Sequence, residues 1–180
     1  DPDKLHEECG VFGVWMPEDG PSPVQLIYFG LVGLQHRGQE SAGIVMNRSG
    51  PEENGGGEPN RGGPGGEESR HFSIQKGMGL VTEVFSGGRL NELHGNIGIG
   101  HTRYSTAGGS NAANAQPLTG HTKKGPLAIA HNGNLVNVEI MRELLEEAGS
   151  VFRTDSDSEV ILNMVARSAV KKSLEEAVWD

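Results

Sequence analysis

Between Arg48 and Arg70 this chain has nothing to bury. The stretch runs through Gly55-Gly56-Gly57 and Gly62-Gly63-Pro64-Gly65-Gly66, with Glu and Asn between, and holds no aliphatic or aromatic side chain. Such a composition cannot offset the entropy lost on ordering it, so residues 48–70 are expected to be a disordered surface insertion. A domain boundary is the rival, but the part before it is too short to stand alone. The core must come from the sequence on either side. At 180 residues the chain fits one domain.

Charge narrows the partners. The formal net charge is −9, with no block of Lys or Arg, so neither nucleic acid nor a membrane surface is expected as a partner. No apolar run reaches the length of a bilayer span, and no signal-peptide pattern opens the chain. A single cysteine points to a reducing, cytoplasmic setting.

That cysteine, Cys9, begins Cys9-Gly10-Val11-Phe12-Gly13-Val14-Trp15, a run that alternates like a core strand. Alone, it forms no internal disulfide, and no group of Cys or Cys/His ligands accompanies it. Two readings remain, a buried apolar side chain or a nucleophile. Gly10 lets another molecule approach the backbone closely. If the Glu8–Cys9 bond were cut, Cys9 would carry both a thiol and an α-amine with a reference pKa of about 8, able to serve as the thiol's own base. Residues 1–8, polar and acidic, then read as a propeptide; a frayed terminus is the plainer reading.

Farther on, Ser22-Pro23 predicts a helix start with Ser22 as N-cap, and Val24, Ile27, Tyr28, Leu31 and Leu34 form one apolar stripe. His36 and Arg37 would lie in its last turn, with Gly38 as C-cap. The tract Gln35 to Gly43 is too polar for a core, and an apolar run, Ile44-Val45-Met46, follows it. Strands are expected at His71–Gln75, Asn96–Gly100 and Pro126–Ala130. Met78 to Phe85 is apolar but broken by Gly79. Asn137 predicts a helix with the stripe Ile140, Met141, Leu144 and Leu145, ended by Gly149. Thr154 to Glu159 opens another, with Val160, Ile161, Met164 and Val165 inward. Ser173 and Glu176 have the spacing of a capping box. Asp180 closes the chain soon after, so it is expected to end inside a domain.

Polar clusters fall at the ends of these elements: Arg103 with Thr106, Asn132 with Gly133, and Asp157. Their chemistry suits a small zwitterion. Arg103 can grip a carboxylate with a bidentate fork. Asp157 can pair an ammonium. The Asn132 amide and the Gly133 N–H can form an oxyanion hole. With Cys9 as nucleophile, the implied substrate is an α-amino acid with a carbonyl side chain, and glutamine is the economical choice. Each feature has a plainer reading as well: Arg103 as a surface ion pair, Asp157 as a helix cap, Asn132-Gly133 as a tight turn. The seven histidines show no metal-ligand spacing, and no phosphate-binding Gly-Lys-Ser/Thr loop is present.

Six stretches carry a family resemblance, in order. They are Cys9–Val14, Leu34–Ile44, Gly79–Phe85, Gly98–Gly108, Ala130–Asn137 and Ser156–Glu159. Together they resemble the glutaminase domain of the glutamine phosphoribosylpyrophosphate amidotransferases, within the class II, N-terminal-nucleophile glutamine amidotransferases. His36-Arg37-Gly38-Gln39 and Tyr104 separate the chain from the glucosamine-6-phosphate synthases, which have Tyr-Arg-Gly-Tyr and Trp there. The resemblance implies an α+β fold, a four-layer αββα sandwich of two antiparallel sheets, over residues 9–180. It assigns Cys9 as nucleophile, Asn132 and Gly133 as oxyanion hole, and Arg103, Thr106 and Asp157 as substrate-binding residues. Arg37 and Gly38 become the wall near the nucleophile, and Glu8–Cys9 the processing site.

The implied reaction is hydrolysis of L-glutamine to glutamate and ammonia through a cysteinyl thioester. A phosphoribosyltransferase domain, absent from this chain, would use the ammonia to make 5-phosphoribosylamine, the first step of purine synthesis. No cofactor is expected in this segment; Mg2+ and an iron–sulfur cluster would belong to the full-length enzyme. A homo-oligomer is expected. Alternatives are a sister amidotransferase such as glucosamine-6-phosphate synthase, a glutamine-binding module without turnover, and a Cys-His hydrolase using His101 or His131.

Overall fold

The computed structural model describes residues 9–17, 19–47, 72–104, 111–122, 125–168 and 173–179. The leader with Glu8, the insertion at 48–70 and Thr106 lie outside the described residues.

Four antiparallel strands form the first sheet: β1 (Gly10–Trp15), β2 (Ser41–Asn47), β3 (Phe72–Met78) and β4 (Ile97–Arg103), in the order β1-β4-β2-β3. β5 (Leu118–Thr122) and β6 (Gly125–Ile129) form a second, two-stranded antiparallel sheet. Helix α1 (Val24–Gly33) packs on β1 and β4, and the short α2 (Val81–Val84) on β2 and β3. On the other side, α4 (Asp157–Arg167) packs on β5 and β6 and carries α3 (Val138–Glu147) and α5 (Leu174–Trp179). Lys76 on β3 ties the sheets together, donating to the carbonyl of Ala115 at 2.7 Å just ahead of β5.

The core lies between α1, α2 and the first sheet, where Ile27, Leu31, Ile44, Met46 and Val81 are fully buried. Each such side chain contributes about 1.5–3 kcal/mol. The expected α1 stripe is the buried one. Its seat is made by β4, whose helix-facing positions include Gly98 and Gly100. A Cβ on Gly100 would stand 2.7 Å from Ile27 Cγ2 and 2.8 Å from Leu31 Cδ1.

Several boundaries differ from expectation. Pro23, not Ser22, is the N-cap of α1, because the Ile27 N–H already bonds the Pro23 carbonyl at 3.0 Å. The helix ends at Gly33, and His36 and Arg37 occupy a separate 3-10 turn, Gln35–Arg37, capped by Gly38. The polar tract holds core after all: Ser41, Ala42 and Gly43 are buried because β2 is a central strand covered on both faces. Met78 to Phe85 yields a strand end and α2 rather than one run. β5 had no expectation attached to it. On α3 only Leu145 is buried, while Ile140 and Leu144 are 62% and 55% exposed. On α4, Leu162 is inward and Met164 outward. The capping box is formed, with Ser173 N–H to Glu176 Oε2 at 2.7 Å and Glu176 N–H to Ser173 Oγ at 3.2 Å. Among the described residues no helix is long and apolar enough to cross a membrane.

Candidate active site

Cys9 sits immediately before β1 with φ +46°, in the left-handed region that side-chain-bearing residues seldom adopt. Two donors converge on its carbonyl oxygen: Arg37 Nε at 2.7 Å and Asn132 Nδ2 at 3.2 Å. The sequence separates these partners by 28 and 123 positions, so the fold, not local chain geometry, assembles the group.

Arg37 is delivered by the 3-10 turn. Gln35 braces that turn, donating from Nε2 to the Gly38 carbonyl at 2.5 Å and accepting at Oε1 from the Val81 N–H at 2.7 Å. Gly38 lies against the main chain of β4: a Cβ there would stand 2.6 Å from the carbonyl carbon of Arg103. Only glycine lets the turn carrying Arg37 approach the strand end carrying Arg103 this closely.

Asn132 and Gly133 follow β6 on an exposed loop. The residue before them is clamped twice. The His131 N–H donates to Gln116 Oε1 at 2.8 Å, and the His131 carbonyl lies 3.2 Å from His101 Nε2. A carbonyl only accepts, so His101 carries its proton on Nε2. His101 is fully buried on β4. Its pKa is lowered to about 4, first by burial and further by the nearby Arg103 and His131, against the raising effect of the His131 bond. The neutral ring is therefore a fixed donor to the loop bearing Asn132 and Gly133.

Asp157 is the first residue of α4, just after the cap. Ser156 is the cap, its Oγ accepting from the Ser158 N–H at 3.3 Å. Asp157 instead accepts from the Leu135 N–H at 3.0 Å and faces His131 Nδ1 at 3.7 Å. It thus joins the helix start to the loop bearing Asn132. The entry to α4 is held by buried Glu159, which accepts from the Thr154 N–H at 2.7 Å, Thr154 Oγ1 at 2.8 Å and the Arg153 N–H at 3.1 Å.

Arg103 ends β4. Its Nη1 lies 3.7 Å from Glu40 Oε1, and the two side chains are only 11% and 7% exposed. The structure thus gathers Cys9, Arg37 and Asn132 by direct bonds. It places Gly133 next in the same loop, and brings Gly38, Arg103 and Asp157 in through the contacts above. His101 bonds the His131 carbonyl, and the His131 ring faces Asp157 at 3.7 Å without a hydrogen bond between them. Glu40, Gln35 and Gln116 support the site and had no role assigned from sequence. A signal for the first two existed: a polar tract that must be buried is a tract with partners. Among the described residues no three His, Cys, Asp or Glu side chains gather in a set able to hold a metal ion.

The chain is similar to several known proteins. A family model described as a glutamine amidotransferase domain matches residues 88–177. The amidophosphoribosyltransferase of Bacillus subtilis (strain 168) is 44% identical over 165 residues, covering 91% of this chain and 30% of that protein. The chloroplastic amidophosphoribosyltransferase 3 of Arabidopsis thaliana is 46% identical, over 96% of this chain and 28% of its own length. Among solved structures, the allosteric regulatory enzyme of purine biosynthesis superposes with a TM-score of 0.74 at 40% identity, covering 93% of this chain and 31% of that one. The B. subtilis glutamine phosphoribosylpyrophosphate amidotransferase complexed with ADP and GMP superposes at 0.73 with 38% identity. The chain spans about 30% of the length of these curated relatives. The fold is the N-terminal-nucleophile hydrolase fold. With its two antiparallel sheets between helices and its cysteine at the head of the first strand, the chain belongs to the glutamine amidotransferase domain family.

Proposed function

We propose that this chain hydrolyses L-glutamine to glutamate and ammonia, with Cys9 as nucleophile. The observation that carries the reading is the convergence of Arg37 and Asn132 on the backbone of the chain's sole cysteine at the head of β1. With Cys9 at the amino terminus, its α-amine takes the thiol proton and the thiolate attacks the side-chain amide carbon. The oxygen of that amide becomes an oxyanion, held by Asn132 Nδ2 and the Gly133 N–H; one such donor is worth about 10²–10³ in rate. The amine returns the proton to the departing nitrogen, ammonia leaves, and a γ-glutamyl thioester remains. Water, deprotonated by the same amine, attacks the thioester and releases glutamate and the thiol. Arg103, with Thr106, receives the substrate α-carboxylate, and Asp157 the α-ammonium. Arg37 and Gly38 wall the site beside the nucleophile and fix the Cys9 backbone.

In a longer protein of the relatives' kind, the ammonia would replace pyrophosphate on phosphoribosylpyrophosphate and give 5-phosphoribosylamine, in a phosphoribosyltransferase domain outside this chain. Mg2+ and an iron–sulfur cluster would, in this reading, belong to that longer protein rather than to this segment.

The test is intact mass followed by glutamate release on the same sample. A chain beginning at Cys9 that turns over glutamine, with turnover abolished by Cys9→Ala, is the expected result. Turnover by the uncleaved chain, or by Cys9→Ala, overturns the mechanism.

A further inference from the structure

Glu40 has no place in the steps above, yet it is among the most constrained acids of the described residues. Its N–H donates to the Arg103 carbonyl at 2.9 Å, and its carbonyl accepts from the Gly79 N–H at 2.8 Å. The residue is thereby stapled between the end of β4 and the approach to α2. Its side chain is buried with that of Arg103, Glu40 Oε1 lying 3.7 Å from Arg103 Nη1. Both Glu40 carboxylate oxygens and Arg103 Nη1 lack a hydrogen-bond partner among the described residues.

A structural ion pair would close to bonding distance and saturate both partners, since buried charges are retained only when paired and bonded. This pair is held just short of that. The backbone bonds fix Glu40 relative to the strand that carries Arg103. The guanidinium is drawn toward one side without spending its fork, and a guanidinium has five donors to offer. A carboxylate arriving from the site would therefore meet an arginine already held in the interior with donors to spare, not one folded out toward solvent.

We propose that Glu40 is a positioning residue for Arg103: it presets the guanidinium that receives the α-carboxylate of the substrate and sets affinity for that group. The proposal rests on the glutamine-binding role given to Arg103 above. It acts through Arg103 and leaves the nucleophile untouched, which separates it from a residue that merely supports the fold.

The test uses purified protein bearing Cys9 at its amino terminus and compares wild type, Glu40→Gln and Glu40→Asp. Two probes of Cys9 are read side by side: a glutamine analogue with an electrophilic ketone in place of the amide, and iodoacetamide, which has no α-carboxylate. Glu40→Gln is expected to raise the half-saturating concentration of the analogue about tenfold, the scale of one charged-group interaction, with the iodoacetamide rate unchanged. The analogue with its α-carboxylate capped as an amide should label wild type and Glu40→Gln at equal half-saturation, because the group Arg103 would hold is missing. Glu40→Asp, which keeps the charge, should fall between wild type and Gln.

Equal half-saturation for wild type and Glu40→Gln with the uncapped analogue overturns the proposal. So does an equal loss with both analogues, or a fall in iodoacetamide rate, or an Asp variant no better than Gln. A wild-type protein that the glutamine analogue fails to label would sink the glutamine reading itself, a result distinct from any of these.

Discussion

At the scale of single residues, His101 couples the site to acidity. Its ring is buried and neutral, with a pKa of about 4 against the ordinary 6.5. Above pH 6.5 neither folded nor unfolded chain holds this proton. Between 6.5 and 4 the unfolded chain takes it up and the folded chain does not, so stability falls as pH falls through that window, by about 3 kcal/mol at its lower end. Urea unfolding at pH 7 and pH 4 checks this: His101→Gln should lose that much less than wild type between the two. At neutral pH the same ring holds the loop carrying Asn132 and Gly133. The residues that meet substrate in the proposed reaction were legible in the sequence. Cys9, Arg103, Asn132 and Asp157 each stand where an element begins or ends, and their types are chemically conspicuous. Gln116 was not legible, because it bonds backbone across the fold, and for Gln35 and Glu40 the polar tract signalled partners without saying which.

At the scale of elements, β4 and α1 define each other. The helix-facing glycines of β4 are where Ile27 and Leu31 sit. Gly100→Ala should therefore destabilise the chain by about 1–3 kcal/mol through overpacking, although alanine suits a strand no worse than glycine. Denaturant unfolding read against a helix signal measures it. Sequence periodicity found α1 and α4 because a helix with one buried face repeats its apolar residues, and it found α3 although only Leu145 of that stripe is buried. It found β1 and β4 from their alternation and β6 from its apolar run. It missed β5, since Leu118-Thr119-Gly120-His121-Thr122 has neither alternation nor an apolar run. That strand is specified by β6 and by Leu162 of α4 against Gly120. The burial of Ser41, Ala42 and Gly43 was hidden for a similar reason: small polar residues in a central strand look like a loop until the strands on both sides are known.

At the scale of the whole molecule, the glycine-rich stretch leaves and rejoins at one point. Asn47 and Phe72 face each other as the last pair of the β2–β3 ladder. The two halves of the sequence thus share one sheet across the stretch, and its ends are already together. Replacing residues 48–71 by Asn-Gly should leave glutamine hydrolysis unchanged and raise stability by about 1.5 kcal/mol, from the smaller cost of closing a shorter loop. Thermal unfolding of the shortened chain, with glutamate release on the same sample, reads both. A fall in hydrolysis would mean that the stretch serves the reaction.

The backbone torsion at Cys9 has one more consequence. φ is a rotation about the bond from nitrogen to Cα, and it is defined only while a residue precedes Cys9. At +46° it holds about 1–2 kcal/mol of unfavourable geometry. Cutting the chain before Cys9 does not relax that rotation into a better one; it abolishes the coordinate. The carbonyl of Cys9 stays gripped by Arg37 and Asn132 while the nitrogen turns at will. Resealing the bond would mean imposing the awkward angle again. If the chain is cut here, as the proposed reaction requires, the torsion of this one residue favours the cut form over the joined one.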